Sequence, residues 1–178
     1  MQTMSITEIS ITIVFFLAVG LPAAGAVPSF LSTESLCRSG ESEYVSCVLQ
    51  DTRKIVCVFA AGNSRPDVGY VQNRYETHKT IEFQYPRDPI APQDKMTIVD
   101  VSRLRDGLGS HLKFRQGSYE YVVSNALVPG EVYVAKDGKT VFDKICRGSE
   151  YLPFDDAARS GLPHGVVDPV DRLDRHDR

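Results

Sequence analysis

Four histidines, His78, His111, His164 and His176, are the side chains of this chain best suited to general-base chemistry near neutral pH. Their placement argues against that use. His164 and His176 fall in the charged C-terminal stretch or its approach, His78 falls in a turn, and His111 opens an alternating segment on its polar side. Each therefore reads as a surface histidine. No G-x-S-x-G elbow marks a serine nucleophile, and no glycine-rich loop precedes a helix to cradle a phosphate. Asp155-Asp156 lie in the C-terminal stretch and Glu41/Glu43 flank a strand start, whereas glycoside hydrolysis needs two carboxyls held at a fixed separation across a cleft. The expectation is a protein that is not an enzyme and uses no cofactor.

Cysteine chemistry comes next. Cys37, Cys47, Cys57 and Cys146 are spaced by ten, ten and eighty-nine residues, and no histidine adjoins any of them. Zinc sites need C-x-x-C or Cys/His clusters at short spacing, so no metal is expected, and an even count in an exported chain reads as disulfides. Cys47 and Cys57 sit on two alternating segments joined by Asp51-Thr52-Arg53, each on the apolar side of its segment. Direct opposition across such a hairpin brings Cβ atoms close to disulfide distance. The favoured pairing is Cys47–Cys57 with Cys37–Cys146, and the other two pairings stay open.

Recognition chemistry is better represented than catalysis. Tyr70, Arg74 and Tyr75 lie in one segment, Tyr119, Tyr121 and Tyr133 in two later ones, and Arg115 and Ser118 lie close by. Tyr and Arg are the residue types that dominate binding hot spots. Arg74 and the Gly117-Ser118-Tyr119 turn are the better exposed candidates. Tyr70, Arg74, Tyr75, Arg115, Ser118, Tyr119 and Tyr121 are the expected binding residues.

The elements that must position them are strands. Period-two alternation runs from Glu43 to Cys146, over Tyr44–Gln50, Lys54–Phe59, Gly69–Tyr75, Thr80–Tyr85, Met96–Val101, His111–Arg115, Tyr119–Ser124, Glu131–Lys136 and Lys139–Cys146. Asp137-Gly138 between the last two favours a type I′ turn, whose central residues both need positive φ. Pro86, Pro89 and Pro92 remove three backbone donors in quick succession and predict an irregular crossing or an edge. Eight or nine short strands without an amphipathic helix predict an all-β fold, a small antiparallel barrel or sandwich stapled by disulfides.

The ends set the compartment. Ile9–Leu21 is an uncharged apolar run followed by Pro22 and Ala24-Gly25-Ala26. It is shorter than the about 20 residues of a membrane span, and its small residues suit signal-peptidase cleavage after Ala26. Its leading segment departs from the usual pattern in carrying Glu8 and no Lys or Arg. The division expected is a signal peptide over 1–26, a β domain over 27–148, and a flexible charged tail over 149–178 that buries too little to fold. With 20 basic and 23 acidic residues, the chain lacks the basic footprint that nucleic acid or an anionic membrane surface selects.

Two resemblances add to this. The segments Cys37-Arg-Ser-Gly-Glu41, Ser46-Cys47, Lys54-Ile-Val-Cys57, Gly69-Tyr-Val-Gln-Asn-Arg-Tyr75, Glu82-Phe-Gln-Tyr-Pro86, Phe114-Arg-Gln-Gly-Ser-Tyr-Glu-Tyr-Val122 and Cys146-Arg-Gly148 resemble a group of small exported bacterial proteins of unassigned function, over most of residues 37–148. In architecture the chain is also similar to periplasmic lysozyme inhibitors, small disulfide-bearing β-barrels that insert a Ser-Gly-x-x-Tyr type loop into the lysozyme cleft. Ser39-Gly40-Glu-Ser-Glu-Tyr44 is one residue too long for that loop, and Gly117-Ser118-Tyr119 has the order reversed. The expectation is a monomeric, periplasmic or secreted binding module with a protein partner in the envelope or outside the cell. Its most concrete form is an inhibitor or immunity-type protein blocking an envelope enzyme. The alternatives are an envelope structural or glycan-binding protein and a hydrolase.

Overall fold

Period-two alternation becomes nine strands in the computed structural model, which describes residues 38–52, 54–77, 79–102, 109–126, 129–148 and 154–173. The expected signal peptide with its cut after Ala26, Cys37, His78, His176, and residues 149–153 and 174–178 lie outside the described residues. The strands are β1 (Ser42–Val48), β2 (Ile55–Ala61), β3 (Tyr70–Thr77), β4 (Thr80–Tyr85), β5 (Met96–Asp100), β6 (Ser110–Gln116), β7 (Tyr119–Ser124), β8 (Glu131–Lys136) and β9 (Lys139–Ile145).

The choice between barrel and sandwich resolves into two open antiparallel meanders, β1-β2-β3-β4 and β5-β6-β7-β8-β9. The break falls where the prolines stand: between Tyr85 and Met96 the chain forms no strand, and each proline lacks the N–H that a ladder needs. Along the opposite edges the sheets do touch. Leu49 bridges Cys146, and Gln50 N–H donates to the Ile145 carbonyl at 2.9 Å. Both inner faces feed one core, with Val56, Val58 and Val71 from the first sheet against Ile98, Leu112, Val123 and Val132 from the second. Each such side chain contributes about 1.5–3 kcal/mol of burial.

The disulfide departs from the favoured pairing. Cys47 is bonded to Cys146, with Cα atoms 5.1 Å apart, so neither Cys47–Cys57 nor Cys37–Cys146 forms. The hairpin closes with the Leu49 N–H donating to the Lys54 carbonyl at 2.9 Å, a register that sets Ser46 opposite Cys57 and Cys47 opposite Val56. A slip of one residue reverses which face a side chain takes. Cys47 thus points into the core between the sheets, while Cys57 joins Ile55 and Phe59 on the far side of β2, its Sγ 3.2 Å from Ser46 Oγ.

The C-terminal stretch also departs from expectation over residues 154–173. Helix α1 (Asp156–Gly161) is capped by Asp155, whose carboxylate accepts from Ala158 N–H. Phe154, Ala158 and Leu162 are buried in the inter-sheet core. Ile98 pairs in parallel with His164 at a single bridge, and a 3₁₀ turn, η1 (Pro169–Leu173), follows. The segment has few apolar residues, but it places them where the core is open and places its acids over buried bases.

Candidate functional site

At the end of the sandwich formed by the Gly117-Ser118 and Asp137-Gly138 turns, the sheets part into an apolar cleft of about 420 Å³. Strand alternation puts its walls in place. On β3 and β4, Tyr75 faces Phe83 across the ladder; on β6 and β7, Phe114 faces Tyr121. Phe142 and Val141 of β9 and Val134 of β8 line the remaining side. The rings are aligned: Phe114 and Tyr121 stack with centroids 4.8 Å apart and planes 3° apart, Phe83 lies 5.2 Å from Tyr121, and Tyr85 lies 4.6 Å from Phe114. At the rim, Tyr119 is 38% and Val141 56% exposed. Lys54 Nζ sits 5.6 Å from the Tyr75 centroid and Lys136 Nζ 5.1 Å from that of Tyr119.

One polar side chain interrupts this wall. Asn73 lies opposite Val58 and Tyr85 on the inner face of β3, two residues before Tyr75, and is 4% exposed. Its Oδ1 is buried and accepts no hydrogen bond, an arrangement that costs about 1–3 kcal/mol.

The expected binding residues divide among three places. Tyr75, Tyr119 and Tyr121 line the cleft. Arg115 and Ser118 lie at the hairpin end of the second sheet beside a separate surface depression, with the Arg115 guanidinium 2.7 Å from the Glu120 carboxylate. Tyr70 and Arg74 belong to neither place. Arg74 was expected at the surface, yet its side chain is fully buried. It stands opposite Cys57 on the outer face of β3, where Nη1 donates to Glu41 Oε2 at 2.7 Å, Nη2 donates to Glu41 Oε1 and Gln72 Oε1, and the guanidinium lies 4.9 Å from the Phe59 centroid. Tyr70 O–H donates to the same carboxylate at 2.8 Å. Burial pushes the Glu41 carboxyl up, but hydrogen bonds from Arg74, the Arg38 N–H and Tyr70 outweigh it and hold it at about 2. This is a structural knot on the wall of the fold, remote from the cleft because alternate β3 residues face opposite ways.

Asn73, Phe83, Phe114 and Phe142 were not singled out from the sequence. The signal was present: Asn73 shares a face with Tyr75, and Phe114 shares one with Leu112. What it lacked was the identity of the sheet lying opposite.

A second buried charge cluster lies on the outer face of the second sheet. His111 was expected at the surface but is 1% exposed, with Nδ1 2.8 Å from Asp171 Oδ1. Lys113 Nζ donates to Asp168 at 2.7 Å and to Asp171 at 3.0 Å, and lies 3.3 Å from Glu120. Tyr133 O–H donates to the Val170 carbonyl. Burial raises the Asp171 carboxyl, but the hydrogen bond to His111, the Asp168 N–H and the Lys113 ammonium more than offset it and hold it below the ordinary carboxylate range. A His–Asp pair can orient a general base, but here residues 168–171 lie over the imidazole, and the pair ties the C-terminal strap to the sheet.

Among the described residues, no group of three or more His, Cys, Asp or Glu side chains could hold a metal ion. No helix there is long and apolar enough to cross a membrane. Compared with known proteins, the chain matches no family model, no curated protein and no solved structure.

Proposed function

We propose that this is an exported binding module that takes an apolar, ring-bearing group into the cleft between its sheets. The cleft carries the reading. Its size falls within the range of about 300–1,000 Å³ usual for ligand sites, and an apolar wall with a single inward polar group is the usual composition of such sites. The Cys47–Cys146 bond agrees with an oxidising compartment. The test uses Nile red with the oxidised chain. Saturable one-to-one enhancement is expected for the native protein and its loss for Val134→Trp, which fills the cleft from β8. Equal enhancement in both proteins removes the cleft as the site.

A second reading, an inhibitor or immunity-type protein that blocks an envelope enzyme, draws on the exposure of Tyr119 and Val141 at the rim. It expects a stoichiometric protein partner in a pull-down with residues 27–178, lysozymes included as baits, and loss of that partner with Tyr119→Ala. A blank across envelope and secreted extracts counts against it.

A further inference from the structure

We infer that the ligand of the cleft is a small planar molecule, apolar over most of its surface, with one neutral O–H or N–H donor that Asn73 receives. The inference rests on the cleft being the binding site and adds the chemical class. Three observations carry it.

The first is room. An apolar cavity of about 150 Å³ holds one benzene, so about 420 Å³ admits a body of two or three fused or linked rings. The second is shape. Phe83, Tyr121 and Phe114 form a compact cluster of near-parallel rings on the cleft wall, Phe83 lying 5.2 Å from Tyr121 and 6.3 Å from Phe114 with its plane 17° from each. Rings that share one orientation favour a flat partner laid parallel to them in offset stacking, which a branched or globular group cannot match. The third is the unpartnered acceptor. Asn73 Oδ1 stands buried at the cleft wall with no donor. Its surroundings are valines and rings, which offer few second partners for a bridging water, and such a water needs two to four. Oδ1 is itself closed off from the cleft, and because the terminal torsion of Asn is soft, rotation of the carboxamide presents it to a ligand. An ionised carboxylate brings no donor to it; a phenol, an indole N–H or an amide N–H does.

The experiment compares 2-naphthol, 2-methoxynaphthalene and naphthalene as probes on the full oxidised chain, by calorimetry and by probe fluorescence, with native protein and Asn73→Leu. Since the chain has no Trp, the naphthyl emission is read without indole background. The native protein is expected to bind 2-naphthol about tenfold tighter than its methyl ether, the size of one buried hydrogen bond. In Asn73→Leu the two are expected to differ less than twofold while naphthalene binding is kept. If all three probes bind the native protein equally, the donor requirement is overturned and the cleft reading survives. If none binds it, the cleft reading fails too. If 2-naphthol keeps its tenfold advantage in Asn73→Leu, the donor is received elsewhere and Asn73 is not the reader. The native-protein comparison stands by itself even if the variant folds poorly.

Discussion

Glu41 and Arg74 meet in a bidentate pair that water does not reach, and such a pair is costly to break on one side only. Glu41→Gln takes from the buried guanidinium the carboxylate that grips it, leaving Glu76 as a nearby negative charge, and a loss of about 3–5 kcal/mol in urea unfolding is expected. The pH dependence has a definite sign. The Glu41 carboxyl sits at about 2 when folded, against 4.5 for the ordinary group. Its contribution is therefore complete above about 4.5 and is lost as the pH falls toward about 2. Native and Glu41→Gln urea midpoints, measured from pH 7 downward, are expected to converge across that window. Asn73 makes the opposite case. Its buried acceptor costs stability, so Asn73→Leu is expected to raise the unfolding free energy by about 1 kcal/mol while weakening the preference for a donor-bearing probe. Stability bought at the expense of recognition is the pattern of a functional site.

At the scale of elements, the two C-terminal pieces are held by different means. Helix α1 ends at Gly161, where an added Cβ would stand 1.8 Å from Asn63 Oδ1. Asn63 in turn accepts from Tyr44 O–H at 2.6 Å and donates to the Gly161 carbonyl at 3.0 Å. Gly161→Ala is expected to cost about 1–3 kcal/mol and to speed amide exchange in residues 156–162 first. The strap over the second sheet depends on Asp171. Asp171→Ala removes the shared partner of His111 and Lys113, and early exchange of the His111 and Lys113 amides is the expected sign of its release. Strand positions were legible from alternation. Thr80–Tyr85, Tyr119–Ser124 and Glu131–Lys136 coincide with β4, β7 and β8, and Asp137 and Gly138 take the positive φ values, 51° and 71°, that their turn requires. The docking of 154–173 was not legible, because a polar face that meets water and one that meets a charged strap have the same alternation. His111 and Lys113 look solvated by pattern and are buried in fact.

For the whole molecule, the fold class followed from the spacing of short strands, but the prolines after Tyr85 marked only a crossing or an edge and left barrel and sandwich both open. The covalent closure did not follow. Cys47–Cys57 was a local inference that assumed a three-residue loop, and the hairpin closes one residue off that register, from Leu49 to Lys54, which turns Cys47 toward the other sheet. The same limit applies to the cleft: Tyr75, Tyr119 and Tyr121 stood out by type, but Asn73 and Phe83 acquire their role only when β6 and β7 are laid over β3 and β4. With its cysteines 99 positions apart in sequence, the bond closes a large loop in the unfolded chain. Cys47→Ala with Cys146→Ala is expected to lower stability by about 2–5 kcal/mol in thermal or urea unfolding.

That bond has a consequence for the fate of the molecule under proteolysis. Every strand from β2 to β9 lies on the stretch of chain between Cys47 and Cys146. A protease that nicks any turn in that stretch cuts the chain but does not release a fragment, since both pieces stay tied through the sulfurs. The nicked protein should run at full size on a non-reducing gel and fall into two bands only after a reductant is added. During synthesis the same geometry imposes an order: the ring cannot close until residue 146 has been made, so oxidation follows the arrival of the last strand.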